Sequence, residues 1–156
     1  MSGLRLTGTD QIAPKLPVWF RILHPRRALS PAQALGQRGE DLAFWFLKQH
    51  GYTIVARNYR GARKWAGAGE IDLIAVEGEP PVLVFVEVKA RAREGLYPAE
   101  AAVDRAKRRH LVHLARSYRA LRRYSGPYRF DIVVVYGTMS DGSAARLKLH
   151  RGAFRA

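Results

Sequence analysis

Two apolar runs that carry charged side chains and are joined by a short turn constrain this chain more than any other stretch. Ile71, Leu73, Ile74, Ala75 and Val76 surround Asp72, and residues 82–86 lead into Glu87, Val88 and Lys89. Between them lies Glu77-Gly78-Glu79-Pro80-Pro81. Runs of this length, bounded by Gly and Pro, read as adjacent antiparallel strands. With the hairpin centred near Glu79, Asp72 falls opposite Glu87. Side chains alternate faces along a strand, so Glu87 and Lys89 share a face, and the register puts Asp72 there too. An unpaired buried charge costs several kcal/mol or more, so a hydrophobic hairpin does not carry three without a reason. Two carboxylates facing each other across a ladder repel unless a cation lies between them. Hard divalent ions prefer oxygen ligands, and magnesium is usually held by one or two carboxylates plus phosphate. Asp72 and Glu87 are therefore the candidate ligands for Mg2+ or Mn2+. The blander account is a structural ion cluster in which Lys89 pairs with one carboxylate.

Charge points to the same class of partner. The 156 residues hold 27 Lys plus Arg against 13 Asp plus Glu, a net charge of +14, which favours an anionic partner: nucleic acid first, an acidic membrane surface second. Cysteine is absent, which excludes thiol catalysis, zinc–thiolate sites and disulfides. No apolar run approaches the ~20 residues of a membrane helix, and the N-terminus lacks the pattern of a signal peptide. The expectation is a cytoplasmic protein with no stable membrane insertion.

Residues 1–32 differ from the rest. Pro14, Pro17, Pro25 and Pro31 interrupt them, and they read as a flexible basic extension whose apolar piece centres on Trp19-Phe20. Residues 33–156 form the folded domain. Leu35, Leu42, Ala43, Phe46 and Leu47 recur at helical spacing over 33–50, and Gly51 stops the helix. A strand over 52–59, a basic glycine-containing loop over 60–69 and the hairpin follow. A long helix is expected over 98–123, with Val103, Lys107, Leu111, Leu114, Tyr118 and Leu121 on one stripe, then a strand over 129–136 and at most a short one over 146–150. The order α-β-β-β-α-β predicts an α/β fold, a mixed sheet flanked by helices.

These residues resemble a known family. Gly36-Gln37-Arg38-Gly39-Glu40-Asp41-Leu42-Ala43, Gly51-Tyr52 and Ala56-Arg57-Asn58-Tyr59-Arg60 look like the opening of the YraN-like family. Gly69-Glu70-Ile71-Asp72-Leu73-Ile74-Ala75, Phe85-Val86-Glu87-Val88-Lys89 and Arg129-Phe130-Asp131-Ile132-Val133 continue the match, over about residues 33–137. That family groups small bacterial proteins described as candidate endonucleases, similar to Holliday junction resolvases and to the restriction-endonuclease-like PD-(D/E)xK superfamily. The resemblance implies a restriction-endonuclease-like sheet, with Asp72 and Glu87 as metal-binding carboxylates of an Asp…Glu-x-Lys motif. It implies that Lys89 orients the attacking water or stabilises charge on the scissile phosphate, and that Glu40 is an additional acidic residue of the site. The proline often found before the motif aspartate is Ile71 here. Resolvase-like relatives are often dimers, so the resemblance leaves a homodimer open.

Each remaining candidate has a plainer reading beside the functional one. Glu40 also fits an acidic residue early in an exposed helix. Lys107 on an apolar stripe either approaches substrate or snorkels to solvent. Asp131 reads as a structural ion partner of Arg129. His110 and His113 have helical metal-pair spacing but no third ligand, so they read as surface residues or phosphate contacts. For nucleic-acid binding, the candidates are Arg60, Arg63, Lys64 and Trp65 in the loop, with Trp65 stacking on a base, and Arg105, Lys107, Arg108 and Arg109 on the helix.

Three functions follow. The first is a metal-dependent endonuclease hydrolysing phosphodiester bonds in DNA, branched or structured DNA included. The second is a non-catalytic nucleic-acid-binding protein that retains a nuclease fold. The third is an interaction protein recruited through Trp19-Phe20.

Overall fold

The computed structural model describes residues 11–12, 30–61, 69–91, 103–137 and 145–156. Eight elements occur in these: β1 (Gln11–Ile12), α1 (Pro31–Gln49), β2 (Thr53–Tyr59), β3 (Ile71–Glu77), β4 (Val82–Arg91), α2 (Arg105–Leu121), β5 (Tyr128–Tyr136) and β6 (Arg146–Phe154). The strands form one sheet in the order β1-β6-β5-β4-β3-β2. Only β4 and β5 pair in parallel, because α2 lies between them in sequence and returns the chain to the same end of the sheet. The mixed α/β architecture expected from the sequence is present, with α-β-β-β-α-β at its centre.

Local chemistry sets the helices. Ser30 caps α1: its hydroxyl accepts from the Gln33 N–H, the Gln33 side chain accepts from the Ser30 N–H, and Pro31 occupies the first turn. Just past its end stands Gly51 with φ +83°, a conformation that suits glycine. Asp104 caps α2 by accepting from the Lys107 N–H at 2.8 Å.

The helices cover opposite faces. Leu42, Ala43, Phe46 and Leu47 of α1 pack on Leu73, Ala75, Val84, Val86, Val133 and Val135. Leu111, Leu114, Ala115 and Tyr118 of α2 pack on Ile74, Phe85, Phe130, Ile132 and Val134. Alternation along β4 thus sends Val84 and Val86 to the α1 side and Phe85 to the α2 side.

Several boundaries depart from expectation. The Asp104 cap starts α2 at Arg105, so Val103 is a buried residue before the helix and not part of its stripe. Residues 98–102 lie outside the described ones. Leu121, expected on the stripe, ends α2 and is 71% exposed. The last strand runs nine residues, Arg146–Phe154, because β5 offers a free edge along its whole length. Gln11 and Ile12, assigned by sequence to an extension without structure, pair with Leu147 and Arg146 at the outer edge of β6. Trp19 and Phe20 lie outside the described residues.

Candidate metal and phosphate site

Asp72 is the second residue of β3, and Glu87 lies just past the middle of β4. The β3–β4 ladder runs from Glu77↔Val82 to Leu73↔Val86, and its continuation sets Asp72 across from Glu87. Beyond Leu73 the ladder gives way, and the Val88 N–H donates to Asp72 Oδ2 at 2.6 Å. The side chain thus replaces a strand-to-strand bond and ties Asp72 to the backbone beside Glu87. Both carboxylates are buried, Asp72 at 8% exposure and Glu87 at 3%.

Two ammonium groups meet Glu87. Lys89 Nζ lies 2.7 Å from Oε1, and Lys107 Nζ, from the first turn of α2, lies 3.0 Å from Oε2. Lys107 also donates to the Glu70 carbonyl at 3.2 Å. Its long stem therefore neither snorkels to water nor packs in the core, but carries its charge into the site. Glu87 Oε2 is enclosed and, among the described residues, has this ion-pair contact without an aligned hydrogen bond.

These neighbours act on Asp72 in opposite directions. Burial is the largest influence and the Glu87 carboxylate the second, and together they push its pKa up to about 7, against the lowering effect of the Val88 N–H and Lys107. Glu40 adds a smaller upward push on Asp72. It sits midway along α1, not in its first turn, and accepts from Asn58 Nδ2 at 2.9 Å. Asn58 holds φ +48°, a left-handed conformation that asparagine tolerates better than most residues. Glu40 is itself shifted up, mainly by burial, with the Asn58 bond opposing. Asp72, Glu87 and Lys89 come together at one end of β3 and β4, with Glu40 close enough to act on Asp72.

The donor set suits a hard cation. Asp72 and Glu87 offer oxygen ligands only, and a cation at the enclosed Glu87 Oε2 would take the place of the Lys107 ammonium, which pairs with it at 3.0 Å without an aligned hydrogen bond. No group of three or more His, Cys, Asp or Glu converges among those residues. Two carboxylates with water and phosphate completing the shell fit magnesium or manganese, and do not fit a closed structural zinc site.

The sequence reads His110 as a surface residue or a phosphate contact; in the structure its ring packs against Gly69, where a Cβ would stand 3.4 Å from it. Its Nε2 is enclosed and, among the described residues, without a hydrogen bond. Burial first, then Lys107, lowers its pKa. The signal available in the sequence was its place three residues after Lys107, on the same helix face.

The remaining candidates lie elsewhere. Arg60 pairs with Glu70 at 2.9 Å, and Glu70 thus braces the loop start and is not a member of the carboxylate pair. Arg105, Arg108 and Arg109 line the outer side of α2. Arg63, Lys64 and Trp65 lie outside the described residues. Asp131, fully buried on β5, accepts from Arg129 (2.9 Å), the Tyr52 hydroxyl (3.1 Å) and the Gly152 N–H (2.9 Å). Arg129 reaches on to Glu77 at 3.0 Å. This satisfied network fastens β3, β5, β6 and the α1–β2 junction together, the structural part expected of Asp131. No helix among the described residues is long and apolar enough to cross a membrane.

Fold and site together define a mixed α/β protein with a buried carboxylate pair and two lysines at one end of a central hairpin. The chain belongs to the uncharacterised protein family UPF0102, the YraN-like family, whose model matches residues 39–135. A UPF0102 protein of Koribacter versatilis is 48% identical over 101 residues, covering 65% of this chain and 67% of the relative. A UPF0102 protein of Solibacter usitatus is 44% identical over 122 residues, covering 76% and 84%. Another from Desulforapulum autotrophicum is 40% identical over 124 residues, covering 79% and 94%. The matched span includes Glu40, Asp72, Glu87, Lys89 and Lys107.

Proposed function

We propose that this protein is a metal-dependent endonuclease that hydrolyses phosphodiester bonds in DNA, structured DNA included. The observation that carries the reading is the pairing of Asp72 and Glu87. Two buried carboxylates face each other across a hairpin, with Lys89 and Lys107 converging on the same spot. As a purely structural device this is poor. Replacing such ions with apolar residues would pack β3 and β4 equally well without desolvating charge.

Asp72 and Glu87 would hold Mg2+ or Mn2+. When bound, such an ion neutralises phosphate charge and makes a water nucleophilic near neutral pH. The protein's own residues do the rest. The Val88 N–H fixes the Asp72 carboxylate in place. Lys89, released from Glu87 Oε1, presents an ammonium where a pentacovalent phosphate becomes more negative. Lys107 does the same from the α2 side. Glu40, its proton affinity raised by burial, would accept a proton at its carboxylate.

The test uses purified protein with single-stranded, duplex, flapped and four-way-junction DNA, in manganese, magnesium or chelator. Cleavage is expected with either metal and not in chelator. Glu87→Gln should lower it by at least ~100-fold, since loss of a group merely supporting a metal ligand already costs 10- to 100-fold. Cleavage that survives chelator and this substitution would defeat the proposal. The ion pairs that Lys89 and Lys107 make with Glu87 favour one other reading, a nucleic-acid-binding protein without catalysis. It predicts salt-sensitive binding with no products under any metal.

A further inference from the structure

The arginines of α2 do not sit with the carboxylates. Arg105 and Arg109 each stand two residues from Lys107, about 160° around the helix axis from it. While Lys107 reaches inward to Glu87, the opposite side of α2 borders a groove of about 430 Å³. Arg105, Arg108, Arg109 and Arg116 line it from the helix, and Arg155 lines it from beyond the end of β6. Arg108 is pinned at its back: its Nε donates to the Val103 carbonyl at 2.9 Å, and its guanidinium lies 5.5 Å from the Phe154 ring centre. Arg105, Arg109, Arg116 and Arg155 are exposed, and no ion pair to any of them forms among the described residues.

We infer that this groove binds the phosphate backbone of a nucleic acid, as an anchoring surface separate from the cleavage site. The composition selects the partner. A helix that lies on a membrane needs an outward apolar face, whereas Leu111, Leu114, Ala115 and Tyr118 of α2 are turned into the core and exposed Leu121 at its end is one residue, not a face. A protein partner would need an aromatic or aliphatic anchor, and the lining offers only half-buried Val112 and the exposed, small Ala156 besides polar groups. Guanidinium groups fork onto phosphate oxygens through paired hydrogen bonds, and five around one concavity suit a chain of phosphates. Such contacts fix position without reading sequence. The groove and the carboxylates lie on two sides of one helix, a body about 10 Å across. A nucleic acid engaging both must pass around α2, which a bent, branched or flapped molecule does more readily than a straight duplex.

The inference rests on nucleic acid being the partner of the carboxylate site, and the experiment separates the two. Full-length protein in chelator is titrated against labelled duplex and four-way-junction DNA by fluorescence anisotropy, across a range of salt. The variant combines Arg109→Gln, Arg116→Gln and Arg155→Gln. Its affinity for the junction is expected to fall roughly 10- to 100-fold, and its log–log salt slope by about 2 to 3, near 0.9 per lost phosphate contact. A thermal midpoint matching the parent's confirms folding. Lysine at the same three positions should largely restore the slope, which a merely structural role would not require. Parent-like affinity and slope in the folded glutamine variant would overturn the inference. Binding of the parent to phosphatidylserine vesicles but not to DNA would also overturn it, in favour of a membrane surface. A parent that binds no nucleic acid sinks the groove and the endonuclease together. Binding lost in the variant, with no cleavage by the parent under any metal, upholds the groove and removes the endonuclease alone.

Discussion

Burial and the facing Glu87 carboxylate push Asp72 up to about 7 from its ordinary value of 3.8. Between those values the folded protein keeps a proton that the unfolded chain has released. Stability therefore falls as pH rises through this window, and the loss is complete above about 7. Asp72→Asn removes that loss while leaving an oxygen to accept from Val88. In metal-free buffer at about pH 8 it should raise the melting temperature by roughly 2–4 °C, equivalent to ~1 kcal/mol in a chain of this size. The gain should shrink toward zero as pH falls to about 4. An unchanged or lower melting temperature at the alkaline end would show that Asp72 carries no such strain. A wild-type chain should also take up metal more tightly as pH rises through about 7, because the ligand must be ionised. Asp72, Glu87 and Lys89 were legible in the sequence because a short turn and strict alternation fix their register. The role of Lys107 was not. It depends on how α2 is rotated against the sheet, which Leu111, Leu114 and Tyr118 decide by packing on residues such as Phe85.

At the level of elements, α1 approaches β4 at Gly39, where a Cβ would stand 3.2 Å from the Ala90 Cβ and 3.9 Å from Val88 Cγ1. The contact flanks Glu40 on one side and Lys89 on the other, so helix and strand meet where the site needs them closest. Gly39→Leu should cost about 1–3 kcal/mol by overpacking, even though glycine is the poorer helix former. Urea denaturation measures it, and a neutral or stabilised variant would mean that α1 can tilt away freely. Element boundaries were less legible than element types. The sequence's Asp104 is a good cap, yet Val103 extends the apolar stripe by one turn and hides it. For β1, two residues become a strand only because β6 leaves an edge to pair with, a fact no local pattern contains.

For the molecule as a whole, the +14 charge is distributed by role. Lys89 and Lys107 are drawn into the carboxylate site, Arg129 into the network on Asp131, and Arg105, Arg109 and Arg116 on the outer side of α2 are left facing solvent. Net charge favours an anionic partner but does not reveal this division, since it arises from which side of α2 meets the sheet. The strand order has a consequence in time. β2, β3 and β4 follow one another as neighbours, whereas β5 reaches β4 only after the chain has passed through α2. Contacts of short sequence separation close first, as a rule. Pulse-labelled hydrogen exchange during refolding should therefore protect the β3–β4 amides before those between β4 and β5, and simultaneous protection would refute this order. The early hairpin would then bring Asp72 and Glu87 face to face before α2 delivers Lys107 to Glu87 Oε2, so the charge cluster is the last part of the site to close.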